Sequence, residues 1–220
     1  MKDIRELENT LQVSFREPLL LQQALVHRSY LNENPDFELQ SNERLEFLGD
    51  SMLSAVFAEK LYREHPDLPE GDMTKLRSTL VRGETLARIS QRLNLSAYIY
   101  LGRGEDTGGG RARQSILADA LEAVIGAVFL DQGFDACREL ILRLYEGEME
   151  RAVDPSLNAD FKSRLQEKAQ SKCREVPDYR VISAEGPDHA REFVVEVLIG
   201  GRVLGRGKGK NKREAEKEAA

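Results

Sequence analysis

Asn42-Glu43-Arg44-Leu45-Glu46-Phe47-Leu48-Gly49-Asp50 opens a stretch in which apolar residues recur at three- and four-residue steps: Leu45, Leu48, Met52, Leu53, Val56, Phe57 and Leu61. That spacing predicts a helix over 44–62, with Leu45, Leu48 and Met52 turned toward a core. Phe47 reads by the same period as a further core residue. Glu43, Glu46 and Asp50 stand at positions that share a stripe of this helix. Three acids on one stripe repel one another, and by itself such a trio is more often a solvated face. A second segment changes its weight. Ser115-Ile116-Leu117-Ala118-Asp119-Ala120-Leu121-Glu122, with the run on to Leu130, is apolar almost all round and predicts a buried helix with Asp119 and Glu122 at i and i+3. Unpaired carboxylates are costly in such surroundings, and no Lys or Arg lies between Arg113 and Arg138. The neutralising cation has to be a basic side chain from another segment or a metal ion.

Outward from these two segments, helical periods cover 18–30, 73–93, 113–130 and 135–153, with turn-rich breaks at 32–35, 66–71 and 102–110. No strand pattern precedes Asp154, so residues 1–153 are expected to form an all-α domain. Asp154-Pro155-Ser156-Leu157-Asn158 interrupts the helical period and reads as a linker. The pattern then changes. Asp160 is placed to cap a helix to about Lys172, short β-prone runs cover 179–184, 193–199 and 202–207, and Gly200-Gly201 between the last two signals a hairpin. Residues 212–220 return to strong helix formers. The order αβββα makes 159–220 a small α+β domain with its sheet packed on both helices. Its last helix is short and offers mainly alanines as apolar contacts, so loose closure is expected there.

The chain has 220 residues, 40% hydrophobic and 32% charged, a composition of soluble globular proteins rather than disordered or membrane ones. No apolar run approaches the roughly 18 residues that span a bilayer. Met1-Lys2-Asp3-Ile4-Arg5-Glu6 carries acids where a secretory signal has bases and an apolar stretch, so a cytoplasmic location is expected. Cys137 and Cys173 each stand alone and read as buried thiols, without a disulfide framework or zinc spacing. The net charge of −6 hides an asymmetry: residues 1–158 hold 18 Lys+Arg against 27 Asp+Glu, and residues 159–220 hold 14 against 11. An acidic body can approach a polyanion if metal ions occupy its carboxylates, while a basic tail supplies phosphate contacts.

Four carboxylates drawn from these two helices, once packed together, would form an all-oxygen site, the preference of Mg²⁺ or Mn²⁺ rather than zinc. Phosphodiester hydrolysis is the natural chemistry of such a cluster. Di-iron bundles also gather carboxylates, but they add Glu-x-x-His pairs, and His27, His65 and His189 sit in none.

The run 42–50, the later Glu70-Gly71-Asp72 and the segment 115–122 resemble, in order and spacing, the signature of the ribonuclease III family. The resemblance implies that Glu46, Asp50, Asp119 and Glu122 bind the metal, Mg²⁺ with Mn²⁺ as a substitute, and carry hydrolysis, with Glu43 and Glu70 as assisting acids. It also implies a homodimer, with Phe47 at the interface, against the plain core position that periodicity gives it. His27-Arg28-Ser29-Tyr30 is similar to an early helix motif of the family, and a packing role is expected for it. The implied reaction cuts double-stranded RNA to 5′-phosphate and 3′-hydroxyl ends with short 3′ overhangs, in ribosomal RNA precursor and other RNA processing, with no small-molecule cofactor.

The tail resembles a double-stranded RNA-binding domain over 159–220. Its first helix matches Phe161 to Glu167, its minor-groove loop Gly186-Pro187-Asp188-His189, and its basic last-helix start Lys210-Asn211-Lys212-Arg213. Such domains read A-form shape through 2′-hydroxyls and phosphates. Gln166, Gln170 and His189 then face the minor groove, and Lys210, Lys212 and Arg213 meet phosphates. Asn211 stands where the family usually has serine. Two other readings stay open on the residues alone: a non-catalytic scaffold that binds duplex RNA, and a carboxylate metalloenzyme acting on small molecules.

Overall fold

The computed structural model describes residues 3–153, 161–185 and 192–220, and the chain divides into two units, Met1–Val153 and Asp154–Ala220. The proposed linker at 154–158 and His189 lie outside the described residues. The first unit is helical throughout: α1 (Ile4–Leu11), α2 (Pro18–Ala24), α3 (Arg28–Glu33), α4 (Glu43–Glu64), α5 (Glu70–Leu80), α6 (Gly83–Arg92), α7 (Arg103–Thr107), α8 (Gln114–Gln132), α9 (Phe134–Leu144) and α10 (Glu148–Val153).

Helix α8 is the axis of this unit. Ile116, Leu117, Ala120, Leu121, Ala123, Val124, Ile125, Ala127 and Val128 are all buried along it, which accounts for a segment with almost no polar residues. Helix α4 lies against it and contributes Leu45, Leu53, Val56, Phe57 and Leu61. Met52 packs at the core's edge, and Leu48 is only half-buried. Helix α1, which periodicity did not single out, buries Leu7 and Leu11 in the same core.

Three expected helices are divided. The period over 18–30 breaks because Val26 forms a parallel bridge with Tyr100: Tyr100 N–H donates to Leu25 O at 2.9 Å and His27 N–H to Tyr100 O at 3.1 Å. Residues 73–93 split around Val81 and Arg82, and 135–153 split over Tyr145–Gly147, where Tyr145 caps the first helix and Gly147, at φ +80°, turns the chain into the next. Within the glycine-rich break, 102–110, the structure forms α7. Each division is decided by contacts distant in sequence or by one backbone angle, which hydrophobic period does not register.

The second unit contains α11 (Phe161–Cys173), β1 (Asp178–Glu185), β2 (Glu192–Ile199), β3 (Arg202–Gly209) and α12 (Lys212–Ala219). The strands form one antiparallel sheet in the order β1-β2-β3. Gly200 and Gly201, with φ of +59° and +74°, make the β2–β3 turn, the two positive angles that a tight hairpin of this hand requires. Val195, Val197, Ala215 and Ala219 form the core, with Leu165, Tyr179 and Phe193 packed around it.

The short last helix is seated closely. Gly205, Gly207 and Gly209 of β3 leave room for it: a Cβ at Gly205 would lie 2.3 Å from Ala219 O, and one at Gly207 the same distance from Ala215 O. Alanine on glycine is therefore a close-approach surface, and the expected looseness is not seen in its packing. Asn211 accepts from Glu214 N–H at 3.0 Å while Lys210 N–H donates to the Glu214 carboxylate at 3.0 Å, a reciprocal cap. Cys137 is buried as expected, whereas Cys173 is exposed at the end of α11, past Ala169, where the helix's packed face runs out.

Candidate active site

The site begins at a backbone contact between α4 and α8. A Cβ at Gly49 would lie 1.8 Å from Glu122 O, and one at Gly126 would lie 2.3 Å from Leu45 O. No other residue type permits that approach without moving a helix. Glu46, three residues before Gly49, is thereby brought level with Asp119 and Glu122, and carboxylate oxygens of the three lie within 4.8 Å of one another.

All three are half-buried, and none forms an ion pair with Lys or Arg among the described residues. Burial pushes the Glu122 carboxyl up to about 8, and the charges of Asp50, Glu46 and Asp119 push in the same direction. Burial likewise raises Glu46, helped by Asp119, Glu43 and Asp50, and it raises Asp119, where His27 opposes it. Crowded carboxylates with only oxygen donors suit a hard divalent cation, which relieves the repulsion that raises them. Asp50 is exposed one turn beyond Glu46 and outside the trio whose oxygens cluster within 4.8 Å, yet its charge is the largest of those that raise Glu122.

Glu46 and Asp119 also line a cleft of about 530 Å³. Glu43 and Glu105 extend its acidic wall, and His27, Arg28, Asn32 and Arg113 bring hydrogen-bond donors to it. Arg28 lies 3.6 Å from Glu43, and Arg113 lies 2.6 Å from Glu105. Sequence reasoning missed Arg28, Asn32, Glu105 and Arg113 as site residues, since they come from separate segments without a shared period. It gave His27 a packing role; the residue caps α3 and also lines the cleft, half-buried, with its pKa lowered chiefly by desolvation. Packing holds for Tyr30 of the same motif, whose ring meets Phe37 at 5.2 Å and Tyr100 at 5.3 Å.

Glu70 stands apart from this cleft, exposed in the first turn of α5, where its carboxylate accepts from Thr74 Oγ1 at 2.8 Å. Phe47 is 78% exposed, so its reading as a core residue of its own chain is overturned: it lies on α4 between Glu46 and Leu48, on the outward side. In the second unit Gln166 and Gln170 are exposed on α11, and Lys210, Lys212 and Arg213 are exposed at the start of α12.

A family model described as Ribonuclease-III-like matches residues 17–148, and one for the double-stranded RNA binding motif matches residues 161–220. The chain belongs to the ribonuclease III family. Among curated ribonuclease III relatives, the Ribonuclease 3 of Dehalococcoides mccartyi is 50% identical over 220 residues, covering 100% of this chain and 93% of that one. The Ribonuclease 3 of a Roseiflexus species is 48% identical, also over 100% of this chain and 93% of its own. A solved structure of the ribonuclease III nuclease domain from Campylobacter jejuni, described for flexibility in a region involved in dimer formation, matches with a TM-score of 0.62. It is 41% identical and covers 66% of this chain and 97% of that one. The chain is accordingly an endoribonuclease with a nuclease domain and a double-stranded RNA-binding domain.

The raised carboxyl of Glu122 gives this ribonuclease III a pH-dependent stability when metal-free. A carboxyl whose folded pKa exceeds its unfolded value near 4.5 contributes stability below about pH 4.5, which is lost as pH rises through about 8. Glu122→Gln keeps the shape and removes the charge. In EDTA it should therefore melt close to wild type at pH 5 and several degrees above it at pH 8.5. Equal shifts at both pH values would contradict the placement of Glu122 among its acids.

Proposed function

We propose that this chain is a Mg²⁺-dependent, homodimeric endonuclease that hydrolyses phosphodiester bonds of double-stranded RNA to 5′-phosphate and 3′-hydroxyl ends. The observation that carries this reading is the convergence of Glu46, Asp119 and Glu122, unneutralised, beside a cleft lined with hydrogen-bond donors. Glu46, Asp50, Asp119 and Glu122 are the metal-binding and catalytic acids. Glu43 assists from the cleft wall, and Glu70 assists from α5. When bound, Mg²⁺, or Mn²⁺ in its place, supplies Lewis-acid stabilisation of charge on the phosphoryl oxygens and activation of water.

The chain's own contribution is orientation. The Gly49 contact fixes the separation of α4 and α8, and with it the spacing of the acids. Phe47, exposed on α4, is the apolar residue we assign to the dimer interface, where a large exposed aromatic finds cover. Two-fold symmetry then presents two equivalent acid clusters to the two strands of a duplex. The domains are assigned as 1–153 for the nuclease and 159–220 for RNA binding, joined by 154–158. Gln166, Gln170 and His189 contact the minor groove, and Lys210, Lys212 and Arg213 contact phosphates. Processing of ribosomal RNA precursors and other transcripts in the cytoplasm is the role that fits this chemistry.

The tail's part is tested by replacing Lys210, Lys212 and Arg213 together with alanine. If each meets a phosphate, the slope of log affinity for duplex RNA against log salt should flatten by roughly 0.9 for each phosphate that is no longer neutralised. Cleavage at low salt and saturating protein should persist and should be lost at a lower salt concentration than in wild type, because the weaker complex leaves saturation sooner. An unchanged slope would remove these three residues from the RNA contact.

A further inference from the structure

The imidazole of His27 is fixed from one side only. Ser29 N–H donates to His27 Nδ1 at 3.2 Å, and the Ser29 hydroxyl lies 2.8 Å from the same nitrogen. That hydroxyl in turn accepts from Gly102 N–H at 3.0 Å. A ring nitrogen that accepts from a backbone N–H carries its lone pair there, so the proton of the neutral ring sits on Nε2. Nδ1 is occupied as the N-cap of α3, and Nε2 has no protein partner among the described residues. The ring lines the same cleft as Glu46 and Asp119. Of the cleft's two guanidinium groups, Arg113 is paired with Glu105 at 2.6 Å, and Arg28 is largely exposed, 3.6 Å from Glu43.

We propose that His27 is a substrate-contacting residue, its Nε2–H donating a hydrogen bond to a phosphate oxygen of the RNA strand being cut. This rests on the proposed function. The acidic wall offers no donor, while a phosphodiester brings only acceptors at its phosphoryl oxygens. A neutral donor held in place beforehand meets that need without placing a competing cation beside the acids. The Ser29–Gly102 contacts set its orientation before substrate arrives.

Two substitutions separate this role from capping. His27→Asn keeps a strong N-cap acceptor for Ser29 N–H but deletes the group at Nε2. His27→Gln reaches further, placing an amide N–H near the position of Nε2 while capping less well. Single-turnover cleavage of a short RNA duplex in Mg²⁺ with saturating protein, thermal melting, and Mn²⁺ binding read by water-proton relaxation are measured for both and for wild type. The expected result is that His27→Asn melts and binds Mn²⁺ like wild type but cuts roughly 10- to 100-fold more slowly, with His27→Gln recovering part of the rate.

Cleavage by His27→Asn at the wild-type rate would overturn the inference. So would rates that follow melting temperature, with His27→Gln the slower of the two. Weakened Mn²⁺ binding in His27→Asn, in proportion to its reduced rate, would also overturn it by assigning the residue to the acids. A wild-type chain that binds no Mn²⁺ or leaves the duplex intact would instead bring down the proposed function beneath it.

Discussion

Replacing Glu122 with Gln is expected to reduce cleavage of duplex RNA by at least about 10³-fold while leaving duplex binding within a few-fold of wild type. The amide matches the carboxyl in shape, so packing on α8 is kept. What it loses is the negative charge of the most buried member of a trio whose oxygens lie within 4.8 Å. The stabilisation that a metal-carboxylate site supplies in phosphoryl chemistry is several kcal/mol, and each 1.36 kcal/mol is a factor of ten in rate. On the proposed reading, binding rests on other groups, among them the basic start of α12. Cleavage and direct duplex binding measured on the same preparation separate the two. A variant that cuts normally would remove Glu122 from the chemistry, and one that loses binding as severely as cutting would give it a folding role.

Replacing Gly49 with Ala is expected to have the largest effect on the fold. A Cβ there would lie 1.8 Å from Glu122 O and 2.6 Å from its carbonyl carbon. Both are backbone atoms, so no side chain can swing away and α4 must separate from α8. Overpacking of this kind costs about 1–3 kcal/mol and sometimes more, which for a domain of this size is a fall in Tm of roughly 2–12 °C. Because the same contact sets the spacing of Glu46 and Glu122, activity at a temperature where the variant is still folded should fall as well. Gly71→Ala is the control: a Cβ there meets nothing within 4 Å and lies within α5. It should be neutral or slightly stabilising, as alanine is the better helix former. Gly49→Ala that melts with wild type would show that the helices do not approach as described.

The two helices that build the site were legible because both obey simple rules. Helix α4 carries its apolar residues at helical period, and α8 is apolar on every side, which only a central helix can be. Asp119 and Glu122 were legible for the converse reason, as charges placed in an apolar helix where charge is expensive. The breaks at Leu25–His27 and at Gly147 were not, because a backbone bridge to Tyr100 and a positive φ decide them. Phe47 was misread from period and corrected by its exposure. The donors in the cleft come from the end of the first helical stretch, from α3 and from the segment before α8, and only the folded chain places them together. The closure of the RNA-binding domain was underestimated because alanines look like weak contacts until the facing strand is seen to be glycine at 205, 207 and 209.

The most direct test of the central claim is cleavage of a long RNA duplex by the metal-free chain of 220 residues as Mg²⁺ is added, with Glu122→Gln alongside. The account predicts an intact duplex in EDTA, short duplex products with 5′-phosphate ends once Mg²⁺ is present, and no products from the variant at any Mg²⁺ concentration. Undiminished cutting in EDTA, or a folded wild-type chain that leaves the duplex whole in both Mg²⁺ and Mn²⁺, would contradict it.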